Sequence, residues 1–282
     1  MRILVCAQRD LVVCVAMNRL LRQLTAHTVE VAMVTMRPGR YRAEDSLERQ
    51  RWFERDLPNS GIFPTLDLAP RPSGELLTFQ HLSREFEVPF HDIKRINTGD
   101  GLDLVQRFQP ELIISLRFGL IFKQPVLSVP PLGIINAHSG SLPEHPGVAA
   151  PVHTLLAGET KLTSTLHMID EGIDSGPIIG KSELPFDSTR SLFWHLPKLF
   201  ELGVDMYLRT LPDLMSGRIT AQPQDTAPGC YHPEPAPGEL DDTFKQRGLR
   251  FFDERDFAEV IGRFGADWSP RTRRTLLRAY QT

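Results

Sequence analysis

The chain has 282 residues, 41% of them hydrophobic and 24% charged, with a formal net charge of −3. That is room for one large domain, or one domain with a smaller companion, of ordinary soluble composition. The small negative balance does not call for nucleic acid or an anionic membrane as partner, and no uninterrupted apolar run approaches the ~20 residues that span a bilayer.

Three cysteines, Cys6, Cys14 and Cys230, form no disulfide framework. Their odd count and wide spacing predict reduced thiols in a cytoplasmic protein. The opening Met1-Arg-Ile-Leu-Val-Cys-Ala is too short for a signal segment and runs directly into Arg9 and Asp10, so no leader is expected.

The elements follow in order. Arg2 to Ala7 is apolar and rich in branched residues, the pattern of a buried parallel strand. Val12, Val15, Ala16, Leu20 and Leu24 then recur at helical intervals, and residues 27–36 read as a second strand, which makes a βαβ unit. Residues 37–75 break the rhythm with Pro38, Pro58, Pro64, Pro70 and Pro72 around a charged stretch, Arg40 to Asp56. This insertion reads equally as a lid or acceptor-binding segment and as a surface excursion anchored by Trp52-Phe53.

The alternation resumes with a helix over 76–86, a short strand within 88–96, a helix over 101–108 and strands over 111–116 and 133–138. A short helix over 151–157 and strands over 163–169 and 177–184 come next. A long helix follows, capped by Asp187 or Ser188 and kinked or split at Pro197. The fold class predicted is α/β, a mostly parallel sheet with helices on both faces. Composition shifts after Gly217: Pro223, Pro228, Pro233, Pro235 and Pro237 mark a linker or extended wrap. The expected division is a catalytic domain over 1–215, carrying the 37–75 insertion, and a small C-terminal extension over 216–282.

Asn136 and His138 end the run Leu132-Gly-Ile-Ile-Asn-Ala-His. Strand side chains alternate faces, so the amide and the imidazole project together. Open α/β sheets bind ligands beyond the carboxyl ends of their strands. A hydrogen-bond donor beside a titratable ring suits a developing oxyanion and a moving proton. Asp174 closes Ile169-Asp-Glu-Gly-Ile-Asp and lies between Gly172 and Gly176, in a loop able to approach closely. The first strand is followed by Ala7-Gln-Arg-Asp-Leu, without the glycines of a dinucleotide-binding turn, and no phosphate-binding P-loop motif occurs. The histidines at 138, 145, 153 and 167 lack metal-ligand spacing, so no metal is expected.

Around these residues the chain resembles the folate-dependent formyltransferase family, which includes glycinamide ribonucleotide, methionyl-tRNA and sugar N-formyltransferases. The family pattern is Asn-x-His-x-Ser-Leu-Leu-Pro, then aromatic-Arg-Gly, then an Asp in a glycine-rich turn. Asn136, His138, Leu142, Pro143, Gly147 and Asp174 fall on it in order. The run Phe118-Gly-Leu-Ile-Phe, then Pro131-Leu-Gly-Ile-Ile-Asn, resembles the methionyl-tRNA enzyme's approach to the same strand. The family serine falls on Gly140, and the aromatic-Arg pair falls on His145-Pro146.

The resemblance implies a Rossmann-like fold and N10-formyltetrahydrofolate as formyl donor to a primary amine. It implies Asn136 and His138 as oxyanion donors, with Asp174 orienting or charging the ring. It also implies a pterin packed against Arg117, Phe118, Gly119 and Leu120 and against the loop that carries Met168, Asp170 and Ile173. A small soluble amine, such as a nucleotide-linked amino sugar or a hydroxyornithine-like side chain, is expected ahead of tRNA. Only ~65 residues follow the shared region, short for an OB-barrel appendage. Arg271, Arg273, Arg274 and Arg278 look like a helical tail. The Arg-rich insertion offers cations to a pyrophosphate. Rival readings are a formyltetrahydrofolate deformylase and a non-catalytic folate-binding module. The oligomeric state stays open.

Overall fold

The computed structural model describes residues 1–35, 46–225, 231–234 and 239–279. Arg40, Arg42, Pro38, Pro228, Cys230, Pro235, Pro237 and the side chain of Arg278 lie outside the described residues.

Seven strands form one sheet: β1 (Arg2–Gln8), β2 (Thr28–Val34), β3 (Phe90–Ile93), β4 (Leu112–Leu116), β5 (Ile134–His138), β6 (Lys161–Met168) and β7 (Ile178–Pro185). Their spatial order is β3-β2-β1-β4-β5-β6-β7. The first five are parallel, and β6 and β7 are antiparallel to their neighbours. The chain runs outward from β1 to β3 and returns on the other side of β1 at β4. That reversal opens a crevice at the carboxyl ends of β1 and β4, the place where open α/β sheets bind ligands. The α/β fold expected from the sequence is the fold observed.

The helix α1 (Leu11–Gln23) begins where Asp10 Oδ1 accepts the Val13 N–H at 2.8 Å, satisfying one orphan donor of the first turn. Its apolar side buries Leu11, Val12, Val15, Leu20 and Leu21 against the sheet. The helices α4 (Phe79–Glu85), α5 (Gly99–Phe108) and α6 (Ala150–Leu156) occupy the positions that the periodicity predicted, within a few residues. Between β2 and α4, the expected irregular excursion is helical instead: α2 (Ser46–Arg51), two π-helical turns (Trp52–Asp56 and Pro58–Ile62) and α3 (Phe63–Leu66) follow one another. Trp52 and Phe53 are buried there, and Phe53 stacks on Phe252 at 4.1 Å between ring centroids. Sequence pattern failed here because the partner of this helical stretch lies two hundred residues away.

The long helix α7 (Leu192–Met215) also departs from expectation. It runs unbroken through Pro197 and Pro212, and its N-cap is Ser191. Asp187 is occupied in the turn before it, accepting from Thr189 N at 2.9 Å and Oγ1 at 2.6 Å. Ser191 is held from outside, its N–H and hydroxyl both donating to Asp256 Oδ2, at 2.7 and 2.6 Å. Burial of Leu192, Phe193, Leu196, Leu199, Phe200 and Tyr207 on one side supplies what the prolines remove. The remaining helices, α8 (Glu239–Gln246), α9 (Glu254–Gly262) and α10 (Pro270–Ala279), bring Phe244, Phe251, Phe257 and Phe264 into the same core as α1 and α7.

Tyr207 ties α7 to the sheet beneath the crevice. Its hydroxyl donates to the Ser115 carbonyl and accepts the Ala137 N–H at 2.5 Å. Ala137 N and Ser115 O are the pair that a parallel ladder with Ser115 opposite Asn136 would join directly. The hydroxyl takes that place at the edge of the cavity. No described helix is long and apolar enough to cross a membrane.

Candidate active site

Asn136 and His138 both face a cavity of about 720 Å³ at the crevice. The alternation of β5 puts them on one side, as the sequence predicted. Asn136 stands opposite His167 of β6, and His138 opposite Thr165. The loop after β6 folds back over this surface and brings Asp174 to the same wall.

The geometry around the three groups is specific. His138 Nε2 donates to the His145 carbonyl at 2.8 Å, which leaves Nδ1 facing Asp174 Oδ2 at 3.4 Å. Asp174 Oδ2 also accepts the Gly147 N–H at 2.8 Å. Asn136 Nδ2 donates to His167 Nε2 at 3.1 Å, while His167 Nδ1 donates to the Met168 carbonyl at 2.8 Å. His167 is therefore a neutral ring with its lone pair toward Asn136. Burial pushes its pKa below the ordinary histidine value, against the pull of Asp174. One amide N–H of Asn136 is thus fixed, and the other remains for a ligand.

Two glycines shape this wall. A Cβ on Gly140 would lie 2.9 Å from His138 Nε2 and 2.6 Å from Ala150 Cβ, so this position has no room for a side chain. Gly147, at φ +107, would place a Cβ 2.4 Å from the His232 carbonyl. His145 does not replace the missing arginine as a free cation. It is buried, with Nε2 at 2.7 Å from Glu159.

Phe118, Gly119, Leu120, Asp170 and Ile173 line the cavity with Arg117, so the segments expected to hold a pterin come together. Met168 lies off the lining. Its backbone carbonyl holds His167, and its N–H pairs with Pro177 O. Asp170 works inside its own loop, accepting from Gly172 N at 3.0 Å and Ser175 Oγ at 2.8 Å.

Arg117 proves less available than the sequence suggested. Its Nη2 donates to Glu54 Oε2 at 2.5 Å and its Nε lies 3.4 Å from Asp10 Oδ2. Gln50 Nε2 donates to the other Glu54 oxygen at 2.6 Å. Burial raises the Asp10 pKa, with Arg117 pulling the other way. Burial likewise opposes the Arg117 charge, but Asp10 and Glu54 outweigh it and keep the guanidinium protonated. The insertion therefore supplies the cavity with a buried carboxylate. Three of its described arginines are already paired: Arg49 with Glu254, Arg51 with Glu48 and Glu234, and Arg55 with Asp56.

Sequence reasoning missed His167, Glu54, Gln50, Tyr207 and Gln224. His167 had a faint signal, since 163, 165 and 167 share a strand face, but strand pairing is not readable from one chain. Among the described residues no three His, Cys, Asp or Glu side chains gather as a metal site.

An amide, an imidazole and a carboxylate thus meet at the crevice of a doubly wound α/β sheet. Comparison with known proteins narrows the class. Residues 83–210 match the formyl transferase family. The methionyl-tRNA formyltransferase of Kosmotoga olearia is 32% identical over 177 residues, 62% of this chain and 57% of that protein. The methionyl-tRNA formyltransferase of Pelobacter propionicus is 30% identical over 154 residues, 55% of this chain and 48% of that protein. The chain spans about half the length of the curated relatives it matches.

Among solved structures, glycinamide ribonucleotide transformylase 1 from Symbiobacterium toebii shares the fold with a TM-score of 0.53 at 17% identity, covering 80% of this chain and 94% of that one. An N-formyltransferase from Helicobacter canadensis, solved with folinic acid and dTDP-3-aminofucose, has a TM-score of 0.52 at 15% identity, covering 83% and 71%. Through residues 83–210 the chain is similar to the formyl transferase family, and it is similar as well to the methionyl-tRNA formyltransferases.

Proposed function

We propose that the protein is an N-formyltransferase that moves a formyl group from N10-formyltetrahydrofolate to the primary amine of a small molecule. The observation that carries this reading is the meeting of Asn136, His138 and Asp174 on one cavity wall, with His138 Nδ1 at 3.4 Å from Asp174 Oδ2.

The reaction forms a bond from the amine nitrogen to the formyl carbon and breaks the bond from that carbon to N10. The proton lost by the amine ends on N10, so no oxidant or further reactant is needed. The free N–H of Asn136 suits the oxyanion of the tetrahedral intermediate. Because His138 Nε2 is committed to a backbone carbonyl, Nδ1 is the ring atom left to donate to that oxyanion or pass the proton. A proton on Nδ1 would face the Asp174 carboxylate at 3.4 Å, which orients the ring. Asp174 Oδ1 accepts the amine proton directly or through water. The apolar faces of Phe118, Leu120 and Ile173 fit a flat pterin, and the cavity falls in the ~300–1,000 Å³ range of small-molecule sites.

The acceptor is the finer part of the proposal. The insertion arginines that line the cavity, Arg51 and Arg55, are committed to carboxylates, which weighs toward a hydroxyornithine-like amine over a nucleotide-linked sugar. The identity to methionyl-tRNA formyltransferases favours a second reading, formylation of charged initiator tRNA. An amine screen with formyltetrahydrofolate, following tetrahydrofolate release, separates them. The panel holds hydroxyornithine, amino-sugar nucleotides, glycinamide ribonucleotide and charged initiator tRNA. Turnover with a small amine is the expected result. Turnover with tRNA alone selects the second reading, and formate release without any amine would instead mark a deformylase.

A further inference from the structure

The turn that carries Asp174 is held in part by residues outside the matched formyl transferase region, 83–210. Its backbone is left-handed, at φ +53, a conformation that non-glycine residues keep only when their surroundings impose it. Gln222 pairs with Ile178 through two backbone hydrogen bonds of 2.8 and 2.7 Å. This sets Gln224 against the turn. Gln224 Nε2 donates to the Asp174 carbonyl at 2.9 Å and to the Gly176 carbonyl at 2.6 Å, so its two amide protons clamp both ends of the bend. On the other side, His232 N donates to Pro146 O at 2.9 Å and Val148 N to His232 O at 3.1 Å. Gly147, between them, is the residue whose N–H holds the Asp174 carboxylate.

We propose that Gln224 is a positioning residue for the Asp174 carboxylate, with Gln222 and His232 as its supports on either side of the site. The proposal rests on the formyltransferase reading for its chemistry. Asp174 needs its carboxylate near His138 Nδ1, and a side chain with two donors in this place fixes the turn that aims it. Asp170 braces the same loop from within, but it reaches Gly172 and Ser175, not the carbonyl of Asp174.

The test compares Gln224→Met, which keeps length and removes both donors, with Gln224→Lys, which keeps a donor. Misplacement of a reacting group by about an ångström lowers turnover on the order of 100-fold, so Gln224→Met is expected to lower kcat by ~10- to 100-fold. KM for donor and acceptor should stay within about 2-fold, because the cavity walls that bind them are unchanged. The acidic limb of the kcat–pH profile should move, and Gln224→Lys should recover most of the rate. A Gln224→Met enzyme with wild-type kcat and pH profile overturns the proposal, as does a rate loss that Gln224→Lys shares in full.

A second readout needs no turnover: the carboxyl carbon of Asp174, followed by NMR with isotope-labelled aspartate and assigned through Asp174→Asn. Its chemical shift at neutral pH should change in Gln224→Met, and an unchanged shift overturns the proposal. Should the wild-type protein turn over no amine, the formyltransferase reading fails while this carboxylate measurement still decides the role of Gln224.

Discussion

Asn136 Nδ2 donates to His167 Nε2 across 3.1 Å, from the residue directly opposite it in the neighbouring antiparallel strand. The bond orients the amide without consuming its second N–H. His167 acts through Asn136 and takes its own orientation from the Met168 carbonyl. His167→Phe keeps the ring volume and removes the acceptor. It is expected to lower kcat by roughly 10-fold, less than loss of the amide itself, with little change in donor KM. A variant with raised KM and unchanged kcat would place His167 in binding instead.

Removing the amide or the carboxylate outright should do more. Loss of one preorganised donor to an oxyanion raises a barrier by roughly 3–4 kcal/mol, so Asn136→Ala is expected to slow turnover by at least ~100-fold, and Asp174→Ala, which removes the proton acceptor, by at least ~100-fold as well. Single-turnover rates with saturating donor measure this, and near wild-type rates in both variants would refute the assignment.

Gly140 tests the packing behind His138. A serine there would push on Ala150 and on the His138–His145 hydrogen bond. Overpacking of this kind costs about 1–3 kcal/mol. Gly140→Ser should lower the melting temperature and the rate together, although it restores the residue that the family pattern carries. A stable, fully active variant would mean that the 138–150 loop yields without consequence.

Arg117 balances two buried carboxylates, Asp10 and Glu54. Removing one partner of a buried ion pair leaves the other charge unsolvated, at roughly 3–5 kcal/mol. Arg117→Ala should therefore destabilise the fold by about 3 kcal/mol in urea. Adding Glu54→Gln should return part of that. No recovery in the double variant would mean that Arg117 stabilises through packing on Phe200.

The pH dependence of stability has a definite sign. Burial holds the pKa values of His167 and His195 below the ordinary 6.5. Both rings are hydrogen-bonded as neutral groups, His195 donating through Nδ1 to Ser191 O and accepting the Asp187 N–H. As pH falls through about 6.5, the unfolded chain binds protons that the folded chain refuses, so stability drops. The urea midpoint should be lower at pH 5.5 than at pH 7.5. An equal or higher midpoint at pH 5.5 contradicts the neutral assignment.

Much of this was legible in the residues. The strands and helices of the sheet follow from apolar periodicity, because a buried parallel strand and an amphipathic helix each impose a local pattern. The pair Asn136 and His138 was readable because alternation is also local. What could not be read depends on distant partners. Glu54 looked like one more charge on a solvated helix face until Arg117 and Asp10 met it. Pro197 looked like a break until the buried side of α7 outweighed it. Gln224 stood in a proline-rich stretch with no periodicity, and its meaning comes from two carbonyls some fifty residues upstream.

The alignment of β5 with β6 sets a constraint of length more than of composition. Side chains on a strand alternate, so deleting one residue between Lys161 and His167 would turn His167 to the far side while leaving an acceptable strand behind. An apolar-for-apolar exchange along these strands leaves that facing intact, whereas the gain or loss of a single residue is harmless only in the connecting loops.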